Sequence, residues 1–294
     1  MKNLKKVAFL MSLVVLVGCE GGDFKESKTL AGKVVDAETL NLGQNTYVEY
    51  CIQCHGKNGD GKGVSSKGMY PPPRDFTQGV YKFGNVVIGE LPHDEDFYRI
   101  IRQGLNGTAM LPWDISDKRL NAVTQYIKTF APAVWEGEGK VLGTKFELPA
   151  DPFGPSRKAE AIEKGKRVYH VSAACIQCHR GYETKDQISA YNKEINNAPL
   201  APADFAEDLY RLKNQDSEFG WKVVPPDFTW HVLRTVNDNE SLLQRLMYGV
   251  AGSGMPGWKD VVTDEDLWAL TYYVQSLREL RNTPARETML EGLK

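Results

Sequence analysis

The pentapeptide "CIQCH" occurs at residues 51–55 and again at residues 175–179. Cysteine and histidine each occur only five times among the 294 residues. Two complete matches therefore indicate one chemical role that is used twice. In each copy, two intervening residues place both sulfurs on one side of a helical turn, and the histidine follows directly.

The order Cys-x-x-Cys-His is the attachment signature of c-type haem. In this interpretation the thiols add to the two haem vinyl groups, and the histidine is the proximal ligand of the iron. The fifth cysteine, Cys19, lies near the N-terminus, so none remains for a disulfide or a catalytic thiol. The sequence thus predicts two haem c groups, one attached to Cys51 and Cys54 with His55 as iron ligand, the other to Cys175 and Cys178 with His179.

Two other uses of paired cysteines are disfavoured. A structural zinc site usually has about 15 to 20 residues between its two cysteine pairs, whereas 120 residues separate Cys54 from Cys175. A thioredoxin-like redox dithiol follows a strand and does not need histidine in the next position.

The repeat extends well beyond the pentapeptide. After the first copy come "PPPRDFT" (71–77), "DEDFYRIIRQGLNGTAMLPW" (94–113) and "SDKRLNAVTQYIKTF" (116–130). After the second come "VPPDFT" (224–229), "NESLLQRLMYGVAGSGMPGW" (239–258) and "TDEDLWALTYYVQSL" (263–277). Matching cysteines lie 124 residues apart, but Phe76 and Phe228 lie 152 apart, which places an insertion of 28 residues between His179 and Pro225. A period this long indicates a duplicated domain rather than a solenoid.

The predicted modules are helical. Apolar residues recur at helical spacing near the end of each copy, and Thr263 with Asp266 matches a capping box. The stretch "GQNTYVEY" (43–50) predicts a helix that runs into the first attachment site, and "GKRVYHVSAA" (165–174) is its counterpart with two additional residues. Strands find little support, because alternating β-branched runs are scarce.

These features together resemble a di-haem cytochrome c made of two class I cytochrome c modules. The resemblance covers residues 37–132 and 159–281, and "CHGKNGDGKG" after the first site is typical of the family, whereas "CHRGYETKDQ" after the second departs from it. It implies an all-α fold of two tandem helical domains, each around one covalently attached haem. The expected division is a signal peptide (1–18), a lipidated tether (19–36), domain 1 (37–132), a linker (133–158), domain 2 (159–283) with an insertion near 180–224, and a C-terminal tail (284–294).

The sixth iron ligands are predicted from the repeat. Met110 and Met255 are the methionines at matching positions, three residues before Trp113 and Trp258 in loops rich in glycine and proline. His/Met ligation is typical of electron-transfer haem. Met69 and Met247 are expected to fill the core.

The remaining histidines and the prolines leave alternatives open. His93 is expected to be a solvated loop residue, and His170 and His231 to be satisfied core or surface histidines, although a bis-His second haem stays open. The proline stretches 71–73 and 225–226 are candidates for the backbone carbonyl that accepts a hydrogen bond from each proximal histidine, or they simply stiffen a loop.

The leader "MKNLKKVAFLMSLVVLVGC" has three lysines before a largely apolar run of 11 residues, Val7 to Val17. This is too short to cross a bilayer and fits a signal peptide. Its ending "LVGC" resembles the lipobox of bacterial lipoproteins, which implies lipidation of Cys19; a plain secretory signal is the alternative. Cleavage before Cys19 removes three lysines and no acid, so the formal charge falls from −2 to −5, which argues against nucleic acid as a partner.

The function predicted from these features is electron transfer between respiratory redox partners on the periplasmic side of a membrane, to which a lipid anchors the protein. An electron carrier, rather than an enzyme, is expected because both modules offer a matched methionine and no spare cysteine exists. A haem enzyme such as a di-haem peroxidase is the alternative. A third interpretation makes the chain a subunit of a larger oxidoreductase complex, with the insertion as docking surface.

Overall fold

The computed structural model describes residues 23–293, so the predicted signal peptide and the predicted lipidation of Cys19 lie outside the described residues. Within this range the chain forms ten α-helices and one two-stranded hairpin. The hairpin consists of β1 (Lys28–Leu30) and β2 (Lys33–Val35). The helices are α1 (Ala37–Tyr50), α2 (Ile52–His55), α3 (Asp94–Gln103), α4 (Asp117–Lys128), α5 (Pro132–Trp135), α6 (Lys158–Arg167), α7 (Lys185–Asn196), α8 (Asn239–Tyr248), α9 (Asp264–Glu279) and α10 (Pro284–Glu291).

Each module is built on one close helix crossing. In the first module α1 packs against α4, and in the second α6 packs against α9. A glycine allows each contact: a Cβ on Gly43 would lie 2.1 Å from the Ala122 carbonyl oxygen, and a Cβ on Gly165 would lie 2.2 Å from that of Ala269. The two crossings therefore use matching residues of the repeat.

Two separate hydrophobic cores surround these crossings. The first extends from Leu30 to Trp135 and the second from Phe153 to Leu277. Leu30 falls in the stretch predicted as a tether and Trp135 in the predicted linker, yet both side chains are buried. The first core thus includes residues that precede and residues that follow the predicted domain 1 (37–132).

The hairpin was not expected from the sequence. Its two turn residues, Ala31 and Gly32, have positive φ angles of 48° and 75°, the backbone that a two-residue hairpin turn requires. This turn, Ala31-Gly32, lacks the Asn-Gly or Asp-Gly pair that signals such a hairpin in a sequence. Hydrogen bonds from Ala31 N–H to the Trp135 carbonyl (2.8 Å) and from Gly137 N–H to that of Thr29 (3.1 Å) join the hairpin to the end of α5.

The two additional residues before the second attachment site have a clear structural place. α6 continues into a π-helical turn at Val168–Ser172, and Ala174 adopts a left-handed conformation with φ of 47°. In the first module α1 leads directly into Cys51. The wider turn and the left-handed residue absorb the extra length before Cys175.

The linker and the predicted tail are both bound to the modules. His93 Nε2 lies 2.8 Å from the Gly143 carbonyl oxygen, and Trp268 Nε1 donates to that of Pro149 (2.9 Å). The predicted tail forms α10, whose Arg286 donates to the Thr229 hydroxyl (2.9 Å). Among residues 23–293, no helix is long and apolar enough to cross a membrane.

Candidate haem sites

Both "CIQCH" segments form a single tight turn. His55 N–H donates to the Cys51 carbonyl (2.9 Å), and His179 N–H donates to that of Cys175 (2.8 Å). None of the four cysteines in these segments forms a disulfide within residues 23–293. Burial raises the pKa of Cys51 and of Cys175 to about 12.

The two proximal histidines have the same environment. His55 Nδ1 lies 3.0 Å from the Arg74 carbonyl oxygen, and His179 Nδ1 lies 3.3 Å from that of Pro226. A carbonyl can only accept, so Nδ1 carries the proton in both rings and Nε2 is left with a lone pair. The two proline loops thus supply the carbonyls, one of the two roles considered from the sequence.

Each imidazole is also held in place by a phenylalanine. The rings of His55 and Phe76 stack with centroids 4.5 Å apart and planes at 17°, and those of His179 and Phe228 with 4.9 Å and 18°. Burial lowers the pKa of His55, and lowers that of His179 to about 4. Both rings are therefore neutral at physiological pH, as a metal ligand must be.

The methionine loops are equivalent in their backbone bonds. Leu105 N–H donates to the Met110 carbonyl (2.8 Å), and Val250 N–H donates to that of Met255 (3.0 Å). The glycine that ends the preceding helix, Gly104 or Gly249, has a positive φ and leaves no room for a Cβ. Met110 packs against the first core and Met255 against the second, and their role as sixth ligands stays a prediction.

The other methionines and histidines have different surroundings. Met247 is fully buried in the second core and Met69 is half-buried. His170 is 3% exposed; its Nδ1 donates to the Lys166 carbonyl (2.8 Å), and its Nε2 accepts from Tyr182 N–H (3.2 Å). His170 is thus a satisfied core histidine with neither nitrogen left for iron.

The two remaining histidines also make hydrogen bonds. His231 Nδ1 accepts from Asp227 N–H (2.9 Å). His93 is half-buried rather than a solvated loop residue, because it precedes α3 as its N-terminal cap and contacts the linker.

Buried polar atoms in the first module fit a haem. Arg74 Nη1, Tyr81 OH and Trp135 Nε1 are buried; Arg74 Nη1 has no hydrogen-bond partner among the described residues, and the Trp135 side chain acts on Tyr81 as a hydrogen-bond partner. The Tyr81 and Trp135 rings lie 5.6 Å apart, and the Arg74 cation acts on Tyr81. Buried donors are seldom left unpaired, and the carboxylates of a haem can accept from all three.

The comparisons with known proteins agree with this geometry. The family model described as "Cytochrome C oxidase, cbb3-type, subunit III" matches residues 38–127 and 160–274. The chain belongs to this cytochrome c family. The all-α fold with cytochrome c-type domains, the haem c cofactor and the role of electron carrier, predicted from the sequence, are thereby confirmed.

A solved structure supports the same assignment. A chain of the "Kuenenia stuttgartiensis reducing HAO-like protein complex Kustc0457/Kustc0458" is 31% identical, with a TM-score of 0.64. The match covers 80% of the present cytochrome and 95% of that chain. No match was found among curated proteins.

Sequence reasoning missed two tyrosines that fix the cytochrome attachment turns. Tyr47 OH donates to the Gly56 carbonyl (2.8 Å), and Tyr169 OH donates to that of Arg180 (2.9 Å). In both modules the acceptor is the residue after the proximal histidine. The sequence contains a signal for them, because in both copies of the repeat the tyrosine lies four residues after the glycine of the helix crossing, Gly43 or Gly165.

The second cytochrome module has a charged cluster that the first lacks. Asp227 is 3% exposed and accepts from Arg180 Nη1 (2.8 Å) and Tyr182 OH (3.1 Å), while Arg286 lies 3.6 Å away. Its counterpart Asp75 is half-buried and bonds to Thr77 alone among the described residues. The segment "CHRGYETKDQ", which departs from the pattern typical of the family, therefore provides Arg180 and Tyr182 as partners of Asp227.

The insertion also packs on the second attachment turn. Lys213 Nζ donates to the carbonyls of Ile176 (2.7 Å) and Gln177 (3.2 Å), inside the second "CIQCH". Tyr210 OH donates to the Glu183 carbonyl (3.1 Å). The insertion thus covers the attachment site in addition to offering an outer surface.

Proposed function

We propose that this chain is a di-haem cytochrome c that carries electrons between redox protein partners, with one haem in each module. The supporting observation is the repeated set of a neutral histidine, a proline-loop carbonyl and a stacked phenylalanine beside each cysteine pair. A haem held there supplies one-electron chemistry. The protein residues keep each imidazole oriented and neutral, and they bury the site.

The proposed location is the periplasmic side of a membrane, with the lipid on Cys19 as anchor. Its support is the sequence of the leader and the requirement that c-type haem be attached after export. The residues between Cys19 and the hairpin, which begins at Lys28, would then join the lipid to the first module.

The proposed partners are other redox proteins within a larger oxidoreductase complex. The similar chain named above is a component of a complex described as reducing and HAO-like. That match covers most of both chains, so the similarity extends to both modules and not to one haem domain alone.

The haem content is the direct test. The full-length protein should be produced in a host that attaches c-type haem, and its intact mass measured after acid-acetone extraction. We expect two haem equivalents per chain. The Cys51→Ala/Cys54→Ala and Cys175→Ala/Cys178→Ala variants should each retain one, and a wild-type mass with fewer than two would contradict the proposal.

A further inference from the structure

The second attachment turn is covered by a cation of the insertion, Lys213. Its Nζ donates to the carbonyl oxygens of Ile176 (2.7 Å) and Gln177 (3.2 Å), the two residues between the attachment cysteines. The Lys213 side chain is only 7% exposed. The ammonium group thus lies against the turn that carries the second cysteine pair, shielded from solvent.

In the first module the matching carbonyl has a neutral donor. The Gln53 carbonyl, the counterpart of that of Gln177, accepts from the backbone N–H of Ser65 (2.9 Å). Ser65 follows the glycine-rich segment "GKNGDGKG" (56–63), which the second module lacks after its own attachment site. Lys213 therefore places a positive charge where the first module has an uncharged N–H group.

Contacts before and after Lys213 in the chain hold it in this place. Before it, the Leu209 side chain is buried and the Leu209 carbonyl accepts from Gly181 N–H (2.7 Å). After it, Gln215 and Val223 exchange two backbone hydrogen bonds, of 2.8 and 2.9 Å. Because the chain is fixed on both sides, the fold of the insertion itself keeps the ammonium group against the turn.

The Lys213 charge is only weakly compensated. Its ion-pair partner, Asp208, lies 3.4 Å away, and the Asp208 side chain is 53% exposed. Water screens an exposed carboxylate, so it offsets a buried cation only in part. Burial lowers the pKa of His179 to about 4, and the Lys213 charge acts in the same direction. The charge therefore reaches the proximal histidine of the second module.

We propose that Lys213 raises the reduction potential of the second haem relative to the first, so that the insertion sets a difference between the two potentials. The proposal rests on the proposed di-haem content. Ferric haem carries one more positive charge than ferrous haem, so a nearby cation favours the reduced state. Burial strengthens this effect because the charge acts through a medium of low dielectric constant. The insertion thereby makes the second haem a better electron acceptor than it would be without Lys213.

The test uses the full-length haem-loaded protein and three variants that separate charge from hydrogen bonding. Lys213→Gln keeps a hydrogen-bond donor without the charge, Lys213→Met removes both, and Lys213→Arg keeps both. Both midpoint potentials are measured by spectroelectrochemical titration at constant ionic strength. The Cys51→Ala/Cys54→Ala variant, which is expected to retain only the second haem, assigns them.

We expect Lys213→Gln and Lys213→Met to lower the potential of the second haem and to leave that of the first near its starting value. The expected loss is about tenfold in the reduction equilibrium constant, which is about 59 mV for one electron. Lys213→Arg should keep the wild-type values. Lys193→Gln, at an exposed position of the same insertion, is the matched control and should change neither potential. Asp208→Asn removes a negative charge and should raise the second potential, by less than Lys213→Gln lowers it.

Three outcomes would overturn the role of Lys213. The first is a two-haem protein whose potentials respond to Lys213→Gln no more than to Lys193→Gln. The second is an equal loss at both haems. The third is a loss in Lys213→Met but not in Lys213→Gln, which would assign the effect to the hydrogen bonds. If the neutral variants fail to load the second haem, Asp208→Asn decides, and an unchanged or lower second potential then overturns the proposal. A wild-type protein with fewer than two haems would instead overturn the proposed function.

Discussion

At the residue scale, the two haem sites differ little in what faces the proximal histidine. Each imidazole donates from Nδ1 to a carbonyl and stacks on a phenylalanine. The Nδ1 bond fixes the tautomer and raises the basicity of the ligating nitrogen. Any difference in potential between the two proposed haems must therefore come from other residues, foremost the sixth ligand and nearby charges.

The methionine assignment is the most direct prediction at this scale. Met110→His should lower the potential of one haem and leave the other near its starting value, because imidazole stabilises ferric iron better than a thioether does. Met255→His should do the same to the other haem. Redox titration with absorption spectroscopy measures both, and the iron should stay low-spin.

Met69→Leu and Met247→Leu are the controls, and neither should change a potential. If Met255→His has no effect and a substitution of His231 produces a high-spin haem, the second module is bis-His ligated.

Asp227 gives a second prediction, on stability. Burial opposes its charge, but hydrogen bonds from Thr229 and the Arg180 charge outweigh this and lower the pKa of Asp227. Asp227→Asn should reduce the free energy of unfolding by about 3 kcal/mol, because it leaves the buried Arg180 guanidinium without its anion. Asp75→Asn in the first module should cost well under half of that, about 1 kcal/mol or less, since Asp75 has no ion pair with any of residues 23–293.

The pH dependence follows from the direction of that shift. A carboxyl group whose pKa is lowered by folding stabilises the protein above its unfolded pKa of about 4. This contribution is lost as the pH falls through the folded pKa of Asp227. Chemical denaturation at pH 7 and at pH 3 should therefore show a smaller difference between wild type and Asp227→Asn at pH 3. An equal difference at both pH values would contradict the proposed role of the charge.

At the element scale, each module depends on the contact between its first and last long helices. Gly43 and Gly165 bring α1 onto α4 and α6 onto α9 at backbone distance. The tyrosines one turn later, Tyr47 and Tyr169, are fully buried and hold the attachment turns. The helix crossing therefore determines where the cysteines and histidine of each site lie.

Alanine at either crossing glycine tests this dependence. A methyl group at Gly43 or Gly165 would collide with a backbone carbonyl, so the helices must separate, and we expect each variant to lose about 2 to 4 kcal/mol of stability. Gly139→Ala is the matched control, because no atom lies within 4 Å of its Cβ position. Thermal unfolding followed by circular dichroism measures the losses, and equal stability of all three variants would rule out the crossing as a determinant.

At the scale of the whole molecule, the modules are joined by more than the linker. Asn85 of the first module donates to Gln244 Oε1 on α8 (3.3 Å), and Asn237 of the second donates to Gln103 Oε1 on α3 (3.4 Å). Phe146 of the linker stacks on Tyr248 with ring centroids 5.2 Å apart. The two modules are thus joined by side-chain contacts as well as by the chain between them.

The membrane anchor is the prediction that concerns the whole chain. A Cys19→Ser variant should move from the membrane to the soluble periplasmic fraction, because the leader is the proposed source of the lipid. Cell fractionation with haem-stained gels measures this. If the variant stays with the membrane, the tether is elsewhere or the protein is held by a partner.

The sequence by itself determined the features that depend on neighbouring residues or on the repeat. Cys-x-x-Cys-His is a local spacing, and the matched order of motifs gave the duplication, the helical modules and the insertion near residues 180–224. The capping box at Thr263 is likewise local, and the structure has it.

Only the tertiary structure decided the features that join distant parts of the chain. The carbonyl that orients His55 belongs to Arg74, 19 residues away, and Asp227 meets Arg180 across 47 residues. The burial of His170 and the packing of the insertion on the second attachment turn likewise come from folding. Sequence periodicity records which face of an element is apolar, but it does not record which elements come together, and that depends on packing.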